Sequence, residues 1–356
     1  MRWVLTAVYS KRMRTAFLCW LLAALPLFAQ NEADQLYEVT ATKYMLGTQI
    51  DLKAMHPDIL ECKRAFYDAY QEIARIEALL SSHIESSEVT KINKMAGVKP
   101  VRVSYETFAI INRSVQYSKK FKGIFDASIG PVTTLWGFSD DKKDITLPNR
   151  SVLKDDLKLV DYRRVALSKA DTTIFLERKG MRLDLGGIAK GYAIDRAAYI
   201  LKNKGIQHFL INAGGDIYAC GYKYGDKKWL VGIQHPRKRG DLLATFEVHD
   251  LAVATSGDYE RYKIIDGRRY HHIIDPRTGF PATLDQSVTV FANSAEEADA
   301  WATYLFIIGY KNEQKSDVKP ELGTVFVDAS GNVEYDHSLE DAFNLRFVGD
   351  KNHEIQ

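Results

Sequence analysis

Apolar positions recur along this chain in two different periods, and each period predicts a different element. Three segments repeat apolar residues every three to four positions, as amphipathic helices do; they are Asp58–Leu80, Ser104–Phe121 and Glu296–Tyr310. Shorter segments show the alternation typical of strands. The predicted strands are Glu38–Leu52 (a pair around Met45–Thr48), Arg163–Leu176, Phe209–Cys220, Trp229–Gln234, Leu243–Val248, Tyr270–Ile274, Thr324–Val327 and Glu334–Tyr335.

The order of these elements predicts an α+β fold, in which mixed, largely antiparallel sheets pack against a few helices. No internal repeat, low-complexity tract or long linker divides the sequence, so residues 30–350 are predicted to form one domain. The polar segment Ser82–Asn93 is interpreted as a connection. Asp140–Arg150, which is charged and contains Pro148, is predicted to be an exposed loop.

Residues 1–29 have the pattern of an export signal. The basic stretch Lys11–Arg14 precedes the apolar run Thr15–Phe28, and Ala29 offers a small residue for cleavage. The apolar run is shorter than the roughly 20 residues that span a bilayer. We therefore expect an exported, periplasmic protein; an uncleaved membrane anchor is the alternative, and Met13 is an alternative start.

Charge and cysteine content exclude several classes of protein. The formal net charge of +2 becomes −2 without residues 1–29, because these contain four basic and no acidic residues. Such a balance gives no basis for nucleic-acid binding, which requires a basic stripe. Only Cys62 and Cys220 remain after the signal, too few for a disulfide scaffold or a cysteine metal site, and their pairing stays open.

The segment Asp184–Asp195 (Asp-Leu-Gly-Gly-Ile-Ala-Lys-Gly-Tyr-Ala-Ile-Asp) predicts a strand end, a glycine turn and a helix start. Apolar residues alternate around Asp184, and helical spacing begins at Ile188. Gly186 and Gly187 permit close approach of a ligand to the backbone, and a helix N-terminus favours an anion. The dinucleotide and P-loop glycine patterns are absent here. The segment is either an anion site or a plain tight turn.

Two further patterns suggest chemistry. Asp299 and Thr303 are four residues apart, which puts both oxygens on one helix face, and Mg²⁺ prefers oxygen ligands completed by phosphates and water. The pair His271–His272 is the best acid–base candidate, because a histidine pKa is readily tuned near neutrality. A structural histidine is the alternative. No third His or Cys ligand lies nearby in the sequence, which argues against zinc.

Several segments, in their order along the chain, resemble the ApbE family of FAD:protein FMN transferases. Besides Asp184–Asp195, they are Phe125–Phe138, Ala254–Tyr262 with His271–Pro281, and Ser287–Ala292 with Glu297–Thr303. The resemblance runs from about Tyr44 to about Gly309. It implies the family's fold of sheets packed with helices. It also implies Mg²⁺-dependent transfer of FMN from FAD to a Thr or Ser hydroxyl of an exported acceptor protein, with release of AMP.

The resemblance also implies roles for individual residues. His272 matches the catalytic histidine, and Asp299, Thr303 and the Gly187 carbonyl match the Mg²⁺ ligands. The positions that match contacts to FAD are Met45, His83, Trp136, Gly137, Phe138, Asp184, Lys190 and Ile273.

Two departures from the family pattern leave alternatives open. Leu46 is inserted in the family's Met-Gly-Thr, and His83 stands where many members have Tyr. An FAD pyrophosphatase that yields FMN and AMP is therefore one alternative, and a flavin-binding protein without catalysis is another. Gly214–Asp216 and Thr255–Asp258 are predicted to be turns that shape the site, with His271 the less constrained of the two histidines.

Overall fold

A computed structural model describes residues 35–138 and 146–349. The predicted export signal and most of the predicted loop Asp140–Arg150 lie outside these ranges. The helices within them are α1 (Ile59–Leu80), α2 (Glu88–Lys94), α3 (Tyr105–Lys120), α4 (Gly130–Trp136), α5 (Arg150–Leu157), α6 (Ala189–Asn203), α7 (Ala295–Ile308), α8 (Tyr310–Glu313) and α9 (Ser338–Phe343).

The strands alternate irregularly with these helices. They are β1 (Tyr37–Met45), β2 (Thr48–His56), β3 (Val101–Arg102), β4 (Val165–Ser168), β5 (Thr173–Leu176), β6 (Phe209–Ala213), β7 (Asp216–Cys220), β8 (Trp229–Gln234), β9 (Leu242–Val248), β10 (Leu251–Gly257), β11 (Tyr262–Ile265), β12 (Arg268–His271), β13 (Asp285–Ala292), β14 (Gly323–Asp328), β15 (Val333–Tyr335) and β16 (Arg346–Phe347).

An eight-stranded sheet, in the order β1-β2-β6-β7-β10-β13-β14-β15, forms the centre of the molecule. All of its strand pairs are antiparallel. Three smaller sheets, β16-β9-β8, β3-β5-β4 and β11-β12, surround it. The predicted α+β fold with largely antiparallel sheets is confirmed.

The central sheet is covered on both faces, which explains why every residue of β13 is buried. Ala252 and Ala254 of β10 belong to the large core beneath α1, α6 and α7. Leu251 and Val253, which alternate with them, belong to a second core formed with β8 and β9. Side chains alternate across a strand, so β10 contributes to both cores.

The three long predicted helices are confirmed with shifts of one or two residues, and their first turns show why they begin there. The Asp58 carboxylate accepts hydrogen bonds from the backbone N–H groups of Leu60 and Glu61, at 2.7 and 2.9 Å. The Ser104 hydroxyl accepts one from Thr107 N–H at 3.2 Å. Both are side-chain N-caps, which satisfy donors that the helix itself leaves without partners.

Several short elements differ from the sequence prediction. The segment Ser82–Asn93 is not only a connection, because α2 begins after Ser87, whose hydroxyl accepts Thr90 N–H at 2.9 Å. The predicted strand Arg163–Leu176 is a 3₁₀ turn followed by the β4–β5 hairpin. Phe209–Cys220 is likewise the β6–β7 hairpin. Thr255–Gly257 ends β10 and is not a turn.

The predicted strand before the glycine turn is also wrong, although its burial does alternate. Met181, Leu183 and Leu185 are buried, but the backbone of Leu183 bonds to a side chain instead of a strand. Its N–H donates to Asn93 Oδ1 at 2.7 Å, and its carbonyl accepts from Asn93 Nδ2 at 3.0 Å. Backbone bonds from Asp184 N–H to the Ala127 carbonyl at 2.9 Å and from Gly130 N–H to the Arg182 carbonyl at 3.2 Å hold the residues on either side.

Cys62 and Cys220 are buried free thiols. Burial raises the pKa of each thiol to about 11, so both are protonated at neutral pH. Within residues 35–138 and 146–349, no helix is long and apolar enough to cross a membrane.

Candidate active site

The N-terminal part of α6 meets the start of α7 at very short range. A Cβ atom on Gly191 would lie 2.2 Å from the Ala295 carbonyl oxygen, so only glycine permits this crossing. The same contact allows Gly191 N–H to donate to Asp299 Oδ2 at 3.0 Å. The helix packing thus fixes the orientation of the Asp299 carboxylate.

Thr303, one turn after Asp299 on α7, faces the glycine turn. A Cβ atom on Gly187 would lie 3.0 Å from Thr303 Oγ1 and 3.0 Å from Phe125 Cε2. A side chain at position 187 would therefore crowd both neighbours. The Asp299 carboxylate and the Thr303 hydroxyl, one turn apart on α7 and beside the Gly187 backbone, are oxygen donors of the kind that a small hard cation takes.

The charge balance around Asp299 favours a bound cation. Burial, together with the nearby Asp216 carboxylate, raises the pKa of Asp299 to about 7. Across the described part of the chain, no three His, Cys, Asp or Glu side chains meet as a metal-ligand group.

Lys190, whose side chain is 28% exposed, forms an ion pair beside this group with the buried Asp216. Lys190 Nζ lies 2.9 Å from Asp216 Oδ2, and Asp216 Oδ1 accepts the Thr255 N–H at 3.3 Å. Burial opposes the charge of Lys190, but Asp216 and Asp299 outweigh it and raise the pKa of Lys190 to about 12. The ammonium is therefore held in its charged form where an anion would bind.

His272 follows directly after β12, and its ring has a free acceptor position. Its Nδ1 is buried and has no hydrogen-bond partner among the described residues. Burial lowers the pKa of His272 to about 3, and the positive charges of Arg261 and Lys190 add to this effect. The imidazole is thus neutral at physiological pH.

His271 has a different, structural environment, and the expectation that it is the less constrained histidine is wrong. Its Nε2 lies 2.7 Å from the Ala282 carbonyl, and its Nδ1 accepts the Ile273 N–H at 3.3 Å. Nε2 must therefore carry the proton. Phe306 packs edge-on against the ring.

The tip of the β1–β2 hairpin is held close to His272. Leu46 and Gly47 have φ angles of 54° and 70°, which define a tight left-handed turn. Arg261 Nη2 donates to the carbonyl oxygens of both residues at 3.3 Å. The Arg261 carbonyl in turn accepts His272 N–H at 3.1 Å. Met45, the last residue of β1, is therefore positioned at this rim.

Comparison with known protein families gives the same family as the sequence motifs. The model of the ApbE family matches residues 46–321. The chain belongs to the ApbE family.

The relatives of this ApbE-family chain carry names that specify an activity. It is 37% identical over 266 residues to an FAD:protein FMN transferase of Treponema pallidum, covering 70% of this chain and 73% of the relative. A Klebsiella pneumoniae protein of the same name is 34% identical over 280 residues, covering 78% and 84%.

Solved structures show the same fold. The ApbE protein of Thermotoga maritima superimposes with a TM-score of 0.78 at 32% identity, covering 86% of this chain and 98% of that one. The flavin transferase ApbE of Vibrio cholerae superimposes with a TM-score of 0.75 at 25% identity, covering 86% and 99%.

The remaining positions of the ApbE-family chain that were predicted to contact FAD differ in burial and in hydrogen bonding. Asp184 is bound by Thr133 Oγ1 at 2.7 Å and by Gly186 N–H at 2.9 Å, so its carboxylate braces the glycine turn. Ile273 is buried, and its carbonyl accepts Ala282 N–H at 3.0 Å while one lone pair stays available. His83 is exposed in the loop after α1.

The segment Trp136–Phe138 is not a loop throughout, because Trp136 ends α4 and Gly137 is its left-handed C-cap. The indole of Trp136 is 1% exposed and donates to the Gly279 carbonyl at 2.8 Å. Phe138, Tyr270 and Phe280 pack around it. A direct contact between this segment and FAD stays a prediction; the indole itself is part of the core.

Sequence reasoning missed the roles of Asp216, Thr133 and Arg261. Asp216 was interpreted only as part of a turn, although an Asp inside a buried strand requires a charged partner. The structure shows that this partner is Lys190. The contacts of Thr133 and Arg261 join segments 51 and about 215 residues apart in the chain, and no local pattern reveals them. Asp258, left open by the sequence, binds Arg237 and Arg269.

Proposed function

We propose that this protein is a Mg²⁺-dependent FAD:protein FMN transferase that acts on a Thr or Ser hydroxyl of an exported protein. The observation that carries the proposal is the unpartnered Nδ1 of His272, which lies near the charge of Lys190, in a chain of the ApbE family. Relatives named FAD:protein FMN transferase support the reaction. The expectation of export depends on residues 1–29, which have the pattern of a signal sequence.

In the proposed reaction the acceptor hydroxyl attacks the phosphorus of the FMN half of FAD. The new O–P bond forms as the diphosphate P–O bond to AMP breaks, and His272 takes the hydroxyl proton. Asp299, Thr303 and the Gly187 carbonyl would hold Mg²⁺, which supplies neutralisation of the diphosphate charge. Lys190, held by Asp216, adds a fixed positive charge. Phosphoryl transfer depends mainly on such positioning and charge stabilisation.

Labelling of an acceptor tests the proposal directly. Protein lacking residues 1–29 is incubated with FAD, Mg²⁺ and exported flavoprotein domains from the same organism, and flavin fluorescence is read on denaturing gels. We expect one FMN bound and one AMP released per acceptor, with loss of both when EDTA is added or when the acceptor hydroxyl is removed by Thr→Val.

The alternatives give different products. Rapid release of free FMN and AMP without any acceptor would favour the pyrophosphatase, in which water replaces the hydroxyl. Tight FAD binding without AMP release, under all conditions, would favour a flavin-binding protein. Either result would contradict the transferase proposal.

A further inference from the structure

The hairpin β11–β12 presents apolar side chains to solvent directly before His272. Its register pairs Ile264 with Arg269, and Tyr262 lies on the same face as Ile264. Tyr262 is 41% exposed and Ile264 is 57% exposed. The Arg269 guanidinium lies 4.2 Å from the centroid of the Tyr262 ring. Exposed apolar residues next to arginine are typical of protein-binding surfaces.

A basic loop adjoins this face. Arg237–Arg239 are exposed, and Arg237 and Arg269 bind the same Asp258 oxygen at 2.7 and 3.0 Å. One carboxylate thus faces two guanidinium groups and leaves an excess of positive charge. The whole sequence is nearly balanced, with 48 basic and 46 acidic residues, so this excess is local. We call Tyr262, Ile264, Arg269 and Arg237–Arg239 the hairpin patch.

The hairpin patch is directly connected to His272 along the chain. Strand β12 ends at His271, and His272 is the next residue. Arg261, at the start of the hairpin, holds the β1–β2 turn, where Tyr44 is 76% exposed. Among the described residues, β11 and β12 pair with no third strand. An extended polypeptide could therefore hydrogen-bond to an edge of this sheet.

We propose that the hairpin patch binds the acceptor protein through an acidic segment that flanks the hydroxyl to be modified. This inference rests on the proposed transferase function and adds the surface and the charge by which the acceptor is recognised. Positive charge on the patch attracts the acidic segment, while Tyr262 and Ile264 pack against its apolar side chains. A segment bound there leads directly to His272.

Two variants with matched controls test the inference. Ile264→Glu is compared with Leu230→Glu, which makes the same change at a 65% exposed position of β8. Lys238→Glu/Arg239→Glu is compared with Lys169→Glu/Lys179→Glu, which reverses two exposed charges beside β4 and β5. The probes are a fluorescent Asp/Glu-rich peptide with one Thr, its Lys-rich counterpart, and vesicles containing phosphatidylglycerol.

We expect the acidic peptide to bind the unmodified protein more tightly than the basic one, and less tightly as salt rises. Both patch variants should weaken this binding by about tenfold or more, as loss of a central interface contact does, while both controls bind normally. FAD affinity should be unchanged in all variants. In the labelling assay, the patch variants should raise KM for the acceptor more than they lower kcat.

Equal binding of both peptides, no peptide binding, or equal losses in the controls would overturn the inference. Binding to vesicles without any binding to the peptide, if the patch variants abolish it, would also overturn the inference, because the patch would then bind a membrane surface. Failure of the proposed function looks different: the acidic peptide binds at the patch, but the unmodified protein transfers no FMN to any acceptor.

Discussion

Two adjacent histidines illustrate how much the surroundings of a residue decide its chemistry. His271 uses both ring nitrogens in hydrogen bonds to the backbone, whereas His272 keeps a buried nitrogen without a partner in the described structure. The sequence identified the pair as an acid–base candidate from residue type, and the family resemblance singled out His272. It could not tell which ring is constrained, because burial and partners depend on distant segments.

His272→Ala separates the catalytic role from a structural one. If His272 takes the hydroxyl proton, we expect turnover to fall by about 10²–10⁴-fold, with FAD affinity and melting temperature nearly unchanged. His271→Ala is the matched control and should lower the melting temperature, because it removes two hydrogen bonds and a ring contact from the core. Turnover at the unmodified level in His272→Ala would contradict the catalytic assignment.

Asp299→Asn tests the proposed cation site. The amide oxygen can still accept Gly191 N–H, but the charge that would hold Mg²⁺ is lost. We expect the Mg²⁺ concentration for half-maximal turnover to rise and maximal turnover to fall by about 10²-fold, since a metal contributes several kcal/mol to charge stabilisation. Glu297→Gln, on the same helix, is the control. An unchanged Mg²⁺ titration in Asp299→Asn would exclude this carboxylate as a ligand.

At the scale of elements, the candidate site depends on the crossing of α6 and α7, because this contact orients the Asp299 carboxylate. The sequence predicted α7 from its period and the start of α6 from the helical spacing that begins at Ile188. It gave no indication that Gly191 contacts the start of α7, because a helical glycine by itself indicates only lower helix propensity. Short elements such as α2 and α4 were missed for a related reason: seven residues give too few repeats for a period to be recognised.

Gly191→Ala should separate the two helices. Its Cβ would collide with backbone atoms of Ala295, which cannot rotate away. We expect a loss of about 1–3 kcal/mol in the free energy of unfolding and a weaker response to Mg²⁺, since Asp299 moves with α7. Gly205→Ala, at a position with φ of +80° and open space around it, is the control. Gly205→Ala should lower the free energy of unfolding through backbone strain and leave the Mg²⁺ response unchanged. An equal change of the Mg²⁺ response in both variants would contradict the packing argument.

At the scale of the whole molecule, the stability should depend on pH through Asp285, a buried acid that the proposed reaction does not use. Asp285 lies at the start of β13, and its Oδ2 has no partner among the described residues. Burial, with the nearby Asp328, raises the pKa of Asp285 from 3.8 to about 7. The folded protein therefore holds a proton that the unfolded chain releases, and its stability falls as pH rises from about 4 through 7.

Asp285→Asn should remove this pH dependence. Above pH 7 the variant no longer buries an unpaired charge, and we expect it to be more stable than the unmodified protein by about 1–3 kcal/mol. The difference should shrink as pH falls towards 3.8, because Asp285 is then protonated in both states. Urea unfolding at several pH values measures it. A constant difference across this range would show that Asp285 does not titrate as described.

The central sheet also has a consequence for how the protein folds. Strand β2 pairs with β6, so the part of the sheet near residue 50 cannot form completely until residues near 213 are in place. The rim around His272 closes only when Arg261 reaches Leu46, across 215 positions. Such distant pairing slows folding, since long loops must close before the contacts that stabilise them can form. A nascent or truncated chain therefore lacks this rim, and if the proposed function holds, the appearance of FAD affinity during refolding would mark the last step of assembly.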